Sequence, residues 1–147
     1  MTFTNPAREE IEALLGRVRG IAVVGLSDSP FRTSNGVAAA MQRFGYRIIP
    51  VNPLVGSALG EQAFDSLTSA VAALGPGQAP DLVNVFRRSE HVSGIVDECI
   101  ALGLPALWLQ EGVVDDAAAT RAREAGLFVV MDRCIMKDRA RMGTHPR

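Results

Sequence analysis

The apolar positions change their rhythm several times along the first fifty residues. Ile11, Leu14, Leu15 and Val18 recur at helical spacing behind "NPAREE". Asn5 before Pro6, with Glu9 and Glu10 in the next turn, reads as a capped start and predicts a helix over residues 5–19 ending near Gly20. The run "IAVVGLS" then drops that period for continuous apolar residues, the pattern of a strand covered on both faces in a parallel sheet. Helical spacing returns in "NGVAAAMQRFG", where Val37, Ala40, Met41 and Phe44 share a face and Gly45 supplies the stop. "YRIIPVNP" is a second strand.

The same alternation continues to the end of the chain. Residues 54–80 carry Gly56, Gly60, Gly75 and Gly77 and predict one short helix around Ser66 to Leu74. "DLVNVFR" is a third strand, and Ser89 is placed to cap the helix that follows, with Val92, Ile95, Val96, Cys99 and Ile100 facing inward. "PALWLQEG" and "LFVVMDRC" are the fourth and fifth strands, separated by "DDAAATRAREAG", which opens on two acids and closes on Gly126. The tail after about residue 140, "RARMGTHPR", reads as a short helix that frays. Strands alternating with helices require right-handed parallel crossovers, so the expected fold is α/β: a doubly wound parallel sheet of about five strands in three layers. With no repeat, linker or low-complexity tract, residues 1–147 read as a single domain.

Composition narrows the functional classes. A chain of 147 residues with 48% apolar and 21% charged content is an ordinary globular domain, able to bury roughly two-thirds of its unfolded surface. The formal net charge of −1 gives no global pull toward nucleic acid or an anionic membrane. Apolar runs are broken well short of the roughly 20 residues a membrane helix needs, and the charged N-terminus has no leader pattern. Two cysteines, Cys99 and Cys134, make neither a disulfide framework nor a zinc spacing, which points to a reduced, cytoplasmic setting without a bound metal.

In an open α/β sheet the ligand lies beyond the carboxyl ends of the strands, so the residues following each strand carry the chemistry. After the first strand, "GLSDSPFRTSNG" offers Gly25 for close backbone approach, hydroxyls at Ser27 and Ser34, and a planar cation at Arg32. A helix beginning near Ser34 would aim free amides at a phosphate, although Ser34 and Asn35 are equally ordinary cap residues. The loop lacks the Gly-x-Gly-x-x-Gly spacing of a dinucleotide turn. The second strand ends in Asn52 and Pro53, where a dinucleotide unit places an acid for its ribose hydroxyls. Without that acid the position tolerates a phosphorylated ribose, or Pro53 simply stops the loop.

Arg87 and Arg88 follow the third strand beside a helix N-terminus. They suit a bidentate phosphate clamp as well as a solvated surface. Gln110 and Gly112 leave the fourth strand, and Trp108 inside it reads as core rather than as a stacking platform. His91 and His145 lack triad partners and read as surface or structural residues. Cys134 follows Asp132 and Arg133, a cationic neighbour of the kind that activates a thiol, and an inert buried role is the competing reading.

Taken together and in order, "VVGLSDSPFRTSNGVA", "YRIIPVNP", "VNVFRRSE", "LWLQEGV" and "VVMDRCIMKD" resemble the small stand-alone CoA-binding domains. Their Rossmann-like unit is similar to the N-terminal CoA-binding domain of the succinyl-CoA synthetase α subunit. The resemblance covers residue 5 to about 140. It implies coenzyme A or an acyl-CoA as ligand, with Gly25, Leu26 and Ser27 at the phosphates and Val51, Asn52 and Pro53 on the adenosine side. Phe86, Arg87 and Arg88 would frame the adenine and its phosphorylated ribose, and Gln110 would stand near the pantetheine path.

A wide serine-bearing loop, no acid after the second strand and an arginine pair suit a ligand with a diphosphate and a 3′-phosphate. Two departures limit the transfer. The synthetase's phosphorylated histidine belongs to a further domain with no counterpart in these residues, so ligase chemistry is not carried over. Relatives also tend to carry an acid–histidine pair where Asp138 is followed by Arg139. The leading expectation is a small-molecule CoA binder without evident catalysis. The alternatives are an enzyme acting on a CoA thioester or an NAD(P)-dependent oxidoreductase, and a ligand-regulated module for an unknown protein partner. A mixed disulfide between Cys134 and the ligand's thiol is a further expectation.

Overall fold

The computed structural model describes residues 2–143; His145 and the end of the expected terminal helix lie outside them. Five parallel strands form the main sheet: β1 (Gly20–Val24), β2 (Arg47–Val51), β5 (Leu82–Val85), β6 (Ala106–Leu109) and β7 (Phe128–Met131). Their order is β2-β1-β5-β6-β7. A two-residue hairpin, β3 (Ser57–Ala58) with β4 (Glu61–Gln62), sits in the glycine-bearing segment where the sequence pattern predicts no strand.

The side chains of β1 show why a continuous apolar run was needed. Ile21 and Val23 enter one core while Ala22 and Val24 enter the other, as the period of two demands when both faces are covered. One core receives α1 (Arg8–Arg17), α2 (Thr33–Arg43) and α6 (Ile135–Ala140). The other receives α3 (Leu67–Leu74), α4 (Val92–Leu102) and α5 (Asp116–Glu124). The result is the three-layer, doubly wound Rossmann-like arrangement. Trp108 is fully buried, its indole N–H donating to the Arg133 carbonyl at 2.8 Å, so it belongs to the core.

Several element ends differ from the pattern, each for a local reason. The first helix is shorter than residues 5–19, because its N-cap falls at Ala7, whose amide donates to the Glu10 carboxylate. Asn5 is spent elsewhere: its carboxamide exchanges two hydrogen bonds with the Met131 backbone, at 2.9 and 2.8 Å, on the outer strand β7. Gly20 opens β1 rather than stopping a helix. Ser89 does not cap α4 but begins a 3₁₀ turn, Ser89–His91, and its hydroxyl accepts from the Val114 amide. Ile100 is exposed on α4 instead of facing inward. Ser66 and Asp115 cap α3 and α5 through their side chains.

Candidate functional site

In the strand order the chain moves outward from β1 to β2, then returns to β5 and proceeds the other way. The crevice between the carboxyl ends of β1 and β5 is therefore a topological switch point, where ligands of this architecture bind. A cleft of about 430 Å³ opens there, within the roughly 300–1,000 Å³ range of small-molecule sites.

Gly25 forms its floor with a φ of +90°, and a Cβ there would stand 2.6 Å from the Phe86 carbonyl oxygen. Only glycine allows the β1 and β5 loops to close this tightly. Phe86 is half-buried at the cleft and packs on the core below. On one wall α2 begins, with Arg32 as a cap residue that makes no side-chain cap bond. The Thr33 and Ser34 amides find no acceptor among the described residues, whereas the Asn35 and Gly36 amides bond back to the Arg32 carbonyl. Unpaired amides at the positive end of a helix dipole, with the exposed Arg32 beside them, attract an anion.

The polar side chains of the first loop mostly shape it. Ser34 Oγ accepts from the Ser27 amide, Asn35 donates to the Ser27 carbonyl, and Ser27 Oγ accepts from the Ser29 amide. Their direct offer to a ligand is the unused hydroxyl hydrogens. Leu26 is fully buried, so it presents only backbone, and its carbonyl accepts from Asn52 Nδ2 at 3.0 Å. Asn52 Oδ1 in turn accepts from the Leu54 amide at 2.9 Å. This carboxamide buckles the loops after β1 and β2 together, a task that needs one donor and one acceptor and that aspartate could not perform. Val51 is buried in the sheet and Pro53 is exposed beyond it.

Arg87 and Arg88 are parted by the backbone. The Arg87 stem passes beside Gly25, its Cδ 3.0 Å from the position a Cβ there would take. Arg88 is 85% exposed and faces Glu90 at 3.8 Å. Gln110 is buried, its Oε1 receiving Asn84 Nδ2 at 3.3 Å and the Ile135 amide at 3.4 Å, so it braces β5, β6 and α6 beneath the rim. Thr33, Leu54 and Val55 also line the cleft; no motif in the sequence singles them out. Position beside a cap and beside an Asn-Pro turn was the only available signal.

The rim at β6 and β7 is built from paired charges. Asp138, buried, takes two hydrogen bonds from Arg133, at 2.8 and 2.5 Å, and one from Arg141 at 3.2 Å. The hydrogen bonds to Asp138 hold the Arg133 pKa above its ordinary value. Cys134 is buried in the core cluster that contains Trp108. Cys99 is buried on the opposite face, and loss of solvation, with the neighbouring Glu98 charge, pushes its thiol up to about 12. Among the described residues no helix is long and apolar enough to cross a membrane.

Residues 19–140, which include every strand and the whole cleft lining, match the family described as "CoA binding domain". The chain belongs to this CoA-binding domain family. It is 46% identical over 131 residues to the uncharacterized protein YneT of Bacillus subtilis (strain 168), covering 89% of this chain and 93% of that one. Among solved structures, a hypothetical protein from Pyrococcus horikoshii OT3 shares 30% identity with a TM-score of 0.82, over 96% of this chain and 98% of that one. A Thermus thermophilus protein shares 32% identity with a TM-score of 0.83, over 93% and 99% of the two chains. The CoA-binding fold is also similar to part of a dinucleotide-forming acetyl-coenzyme A synthetase of Ca. Korarchaeum cryptofilum. That match has 19% identity and a TM-score of 0.59, covering 75% of this chain and 25% of the synthetase.

Proposed function

We propose that this protein binds coenzyme A or an acyl-CoA in the cleft between β1 and β5, as a binder rather than a catalyst. The observation that carries the reading is the wall of the cleft. Free α2 amides, Arg32 and the Gly25 floor suit a diphosphate, and the cleft lies in the segment that matches the CoA binding domain. The residues fit such a ligand on two counts: the amides lack acceptors, and the space at Gly25 is one that any side chain would fill.

In this reading the backbone at Gly25, Leu26 and Ser27 and the amides of Thr33 and Ser34 hold the diphosphate, with Arg32 closing over it. Val51, Asn52 and Pro53 set the adenosine side, chiefly by holding the loop in place. Phe86 supports the nucleotide from below, and Arg87, whose stem lies beside Gly25, reaches the 3′-phosphate. Arg88 contributes charge from further out. Gln110 acts through the rim under the pantetheine arm. The cleft is lined by no His, Cys, Lys, Asp or Glu among the described residues, so it offers no general acid–base pair for a thioester reaction.

Calorimetry with CoA, dephospho-CoA and NAD tests the assignment. CoA binds best, and Arg87→Ala weakens CoA about 10- to 100-fold more than it weakens dephospho-CoA, in line with about 1.5–3 kcal/mol for a charged hydrogen bond. Equal losses for both ligands, or NAD binding as well as CoA, overturn it. Turnover of an acyl-CoA panel by the wild-type protein would instead establish an enzyme.

A further inference from the structure

The chain carries fifteen lysines and arginines, and Lys137 is its single lysine. The others are guanidinium groups, which stay charged and cannot act as nucleophiles, whereas an ammonium can shed a proton and attack. Lys137 stands on α6 at a small rim pocket of about 120 Å³, which Glu111 after β6 and Asp132 after β7 also line. The two arginines of that pocket are committed to structure, since Arg133 and Arg141 both donate to the buried Asp138. Lys137 instead reaches the exposed Glu111 carboxylate, at 3.2 and 3.3 Å, and is itself 60% exposed. An ion pair this open adds little to stability, and it leaves the amine accessible.

Placement relates this amine to the cleft. Both open on the carboxyl edge of the same sheet, and α6 packs against α2, whose first residues wall the cleft. β6 and β7 follow β5 in the sheet; at about 4.8 Å per strand, the end of β7 lies roughly 10 Å further along that edge. Gln110 stands between them, its Oε1 receiving Asn84 of β5 and the first amide of α6. A pantetheine arm, peptide-like and as long as about four extended residues, spans roughly 13–14 Å from the diphosphate to its sulfur. An arm leaving the cleft along this edge therefore ends at Lys137.

We infer that Lys137 is an acyl acceptor: a thioester bound in the cleft delivers its acyl group to Nζ, an inference that rests on the CoA reading above. The ammonium first releases one proton to water, and the amine lone pair forms a bond to the thioester carbonyl carbon. The C–S bond breaks and its electron pair leaves with sulfur, which takes the second proton from nitrogen. One amide and one CoA thiol result, and nothing is oxidised or reduced. Each chain reacts once, so this is modification and not turnover. The pocket is far smaller than the roughly 300–1,000 Å³ of a whole ligand site, so the group it receives is a short acyl chain.

The test follows wild type by intact mass and peptide mapping in acetyl-CoA and in S-acetyl-N-acetylcysteamine, a thioester without the nucleotide, after calorimetry with CoA. At about 0.1 mM thioester, acetyl-CoA adds one acetyl group at least about 10-fold faster than the truncated thioester, because a bound arm holds its end at millimolar effective concentration. The adduct maps to the peptide between Arg133 and Arg139, and excess CoA suppresses it. Lys137→Arg, checked first for a wild-type melting temperature, does not form it; Lys137→Gln repeats that loss if the arginine variant melts early. CoA binding without an adduct at Lys137 overturns the acceptor role and leaves the CoA reading standing. Equal rates with the two thioesters, indifference to excess CoA, or an equal adduct in the Lys137 variants overturn it as well. Failure of wild type to bind CoA in the calorimeter removes the CoA reading and the acceptor role with it.

Discussion

Gly25 is the residue on which the geometry of the site turns. Its φ of +90° and the 2.6 Å approach of a notional Cβ to the Phe86 carbonyl leave two separate penalties for any side chain. Gly25→Ala is expected to lower unfolding free energy by about 1–3 kcal/mol from backbone strain alone and to abolish measurable CoA binding. Gly94, in the first turn of α4 with nothing within 4 Å of its Cβ position, is the control. Gly94→Ala is expected to stabilise the protein by about 0.5–1 kcal/mol. Denaturant midpoints for the two variants should move in opposite directions. A glycine after the first strand was visible as a turn residue in the sequence, but its contact with Phe86 was not, since the two lie far apart in the chain and meet only once β1 pairs with β5. Asn52 shows the same limit more sharply. Its lack of charge could be read, while its use as a buckle between two loops required both loops to be in place.

At the level of elements, what was legible was whatever the solvent dictates. Continuous apolar runs placed the five main strands and a period of 3.6 the helices between them, because a strand must bury both faces and a helix one stripe. What escaped was decided by tertiary partners. Asn5 has the sequence signature of a helix cap, yet its carboxamide serves the outermost strand, offering Met131 the donor and acceptor that a neighbouring strand would have supplied. Asn5→Ala leaves those two backbone groups unpaired and is expected to cost about 1–3 kcal/mol. It should also promote self-association through the bared edge of β7. Chemical denaturation and light scattering check the two effects, and a variant as stable and monomeric as wild type would deny Asn5 this role. Ser89 misled for a similar reason, as its hydroxyl receives the Val114 amide across the connection after β6 instead of capping α4.

For the molecule as a whole, pH dependence follows from the core of α4. The Cys99 thiol rises from 9.0 to about 12 on folding, chiefly through lost solvation. Its folded pKa lies above its unfolded one, so the folded state keeps the proton that the unfolded chain releases. Full stability is thus present below about pH 9 and is lost as pH climbs toward the folded value. Over that window wild type should lose stability faster than Cys99→Ala by up to about 1.4 kcal/mol per pH unit, the slope of one proton. Parallel curves for the two proteins would show that the thiol ionises equally well in both states.

The lining of the cleft comes entirely from residues 25–34, 52–55 and 86. On the CoA reading, everything from α4 onward would stand behind the nucleotide and outside its grip. In that reading labour would be divided along the chain, with the residues up to 86 setting which head group is held and a later rim that mutation could redraw at little cost to that hold. Variation among relatives in what hangs from the far end of the ligand should then concentrate after residue 110, and chimeras joined there should keep their nucleotide preference from the N-terminal parent.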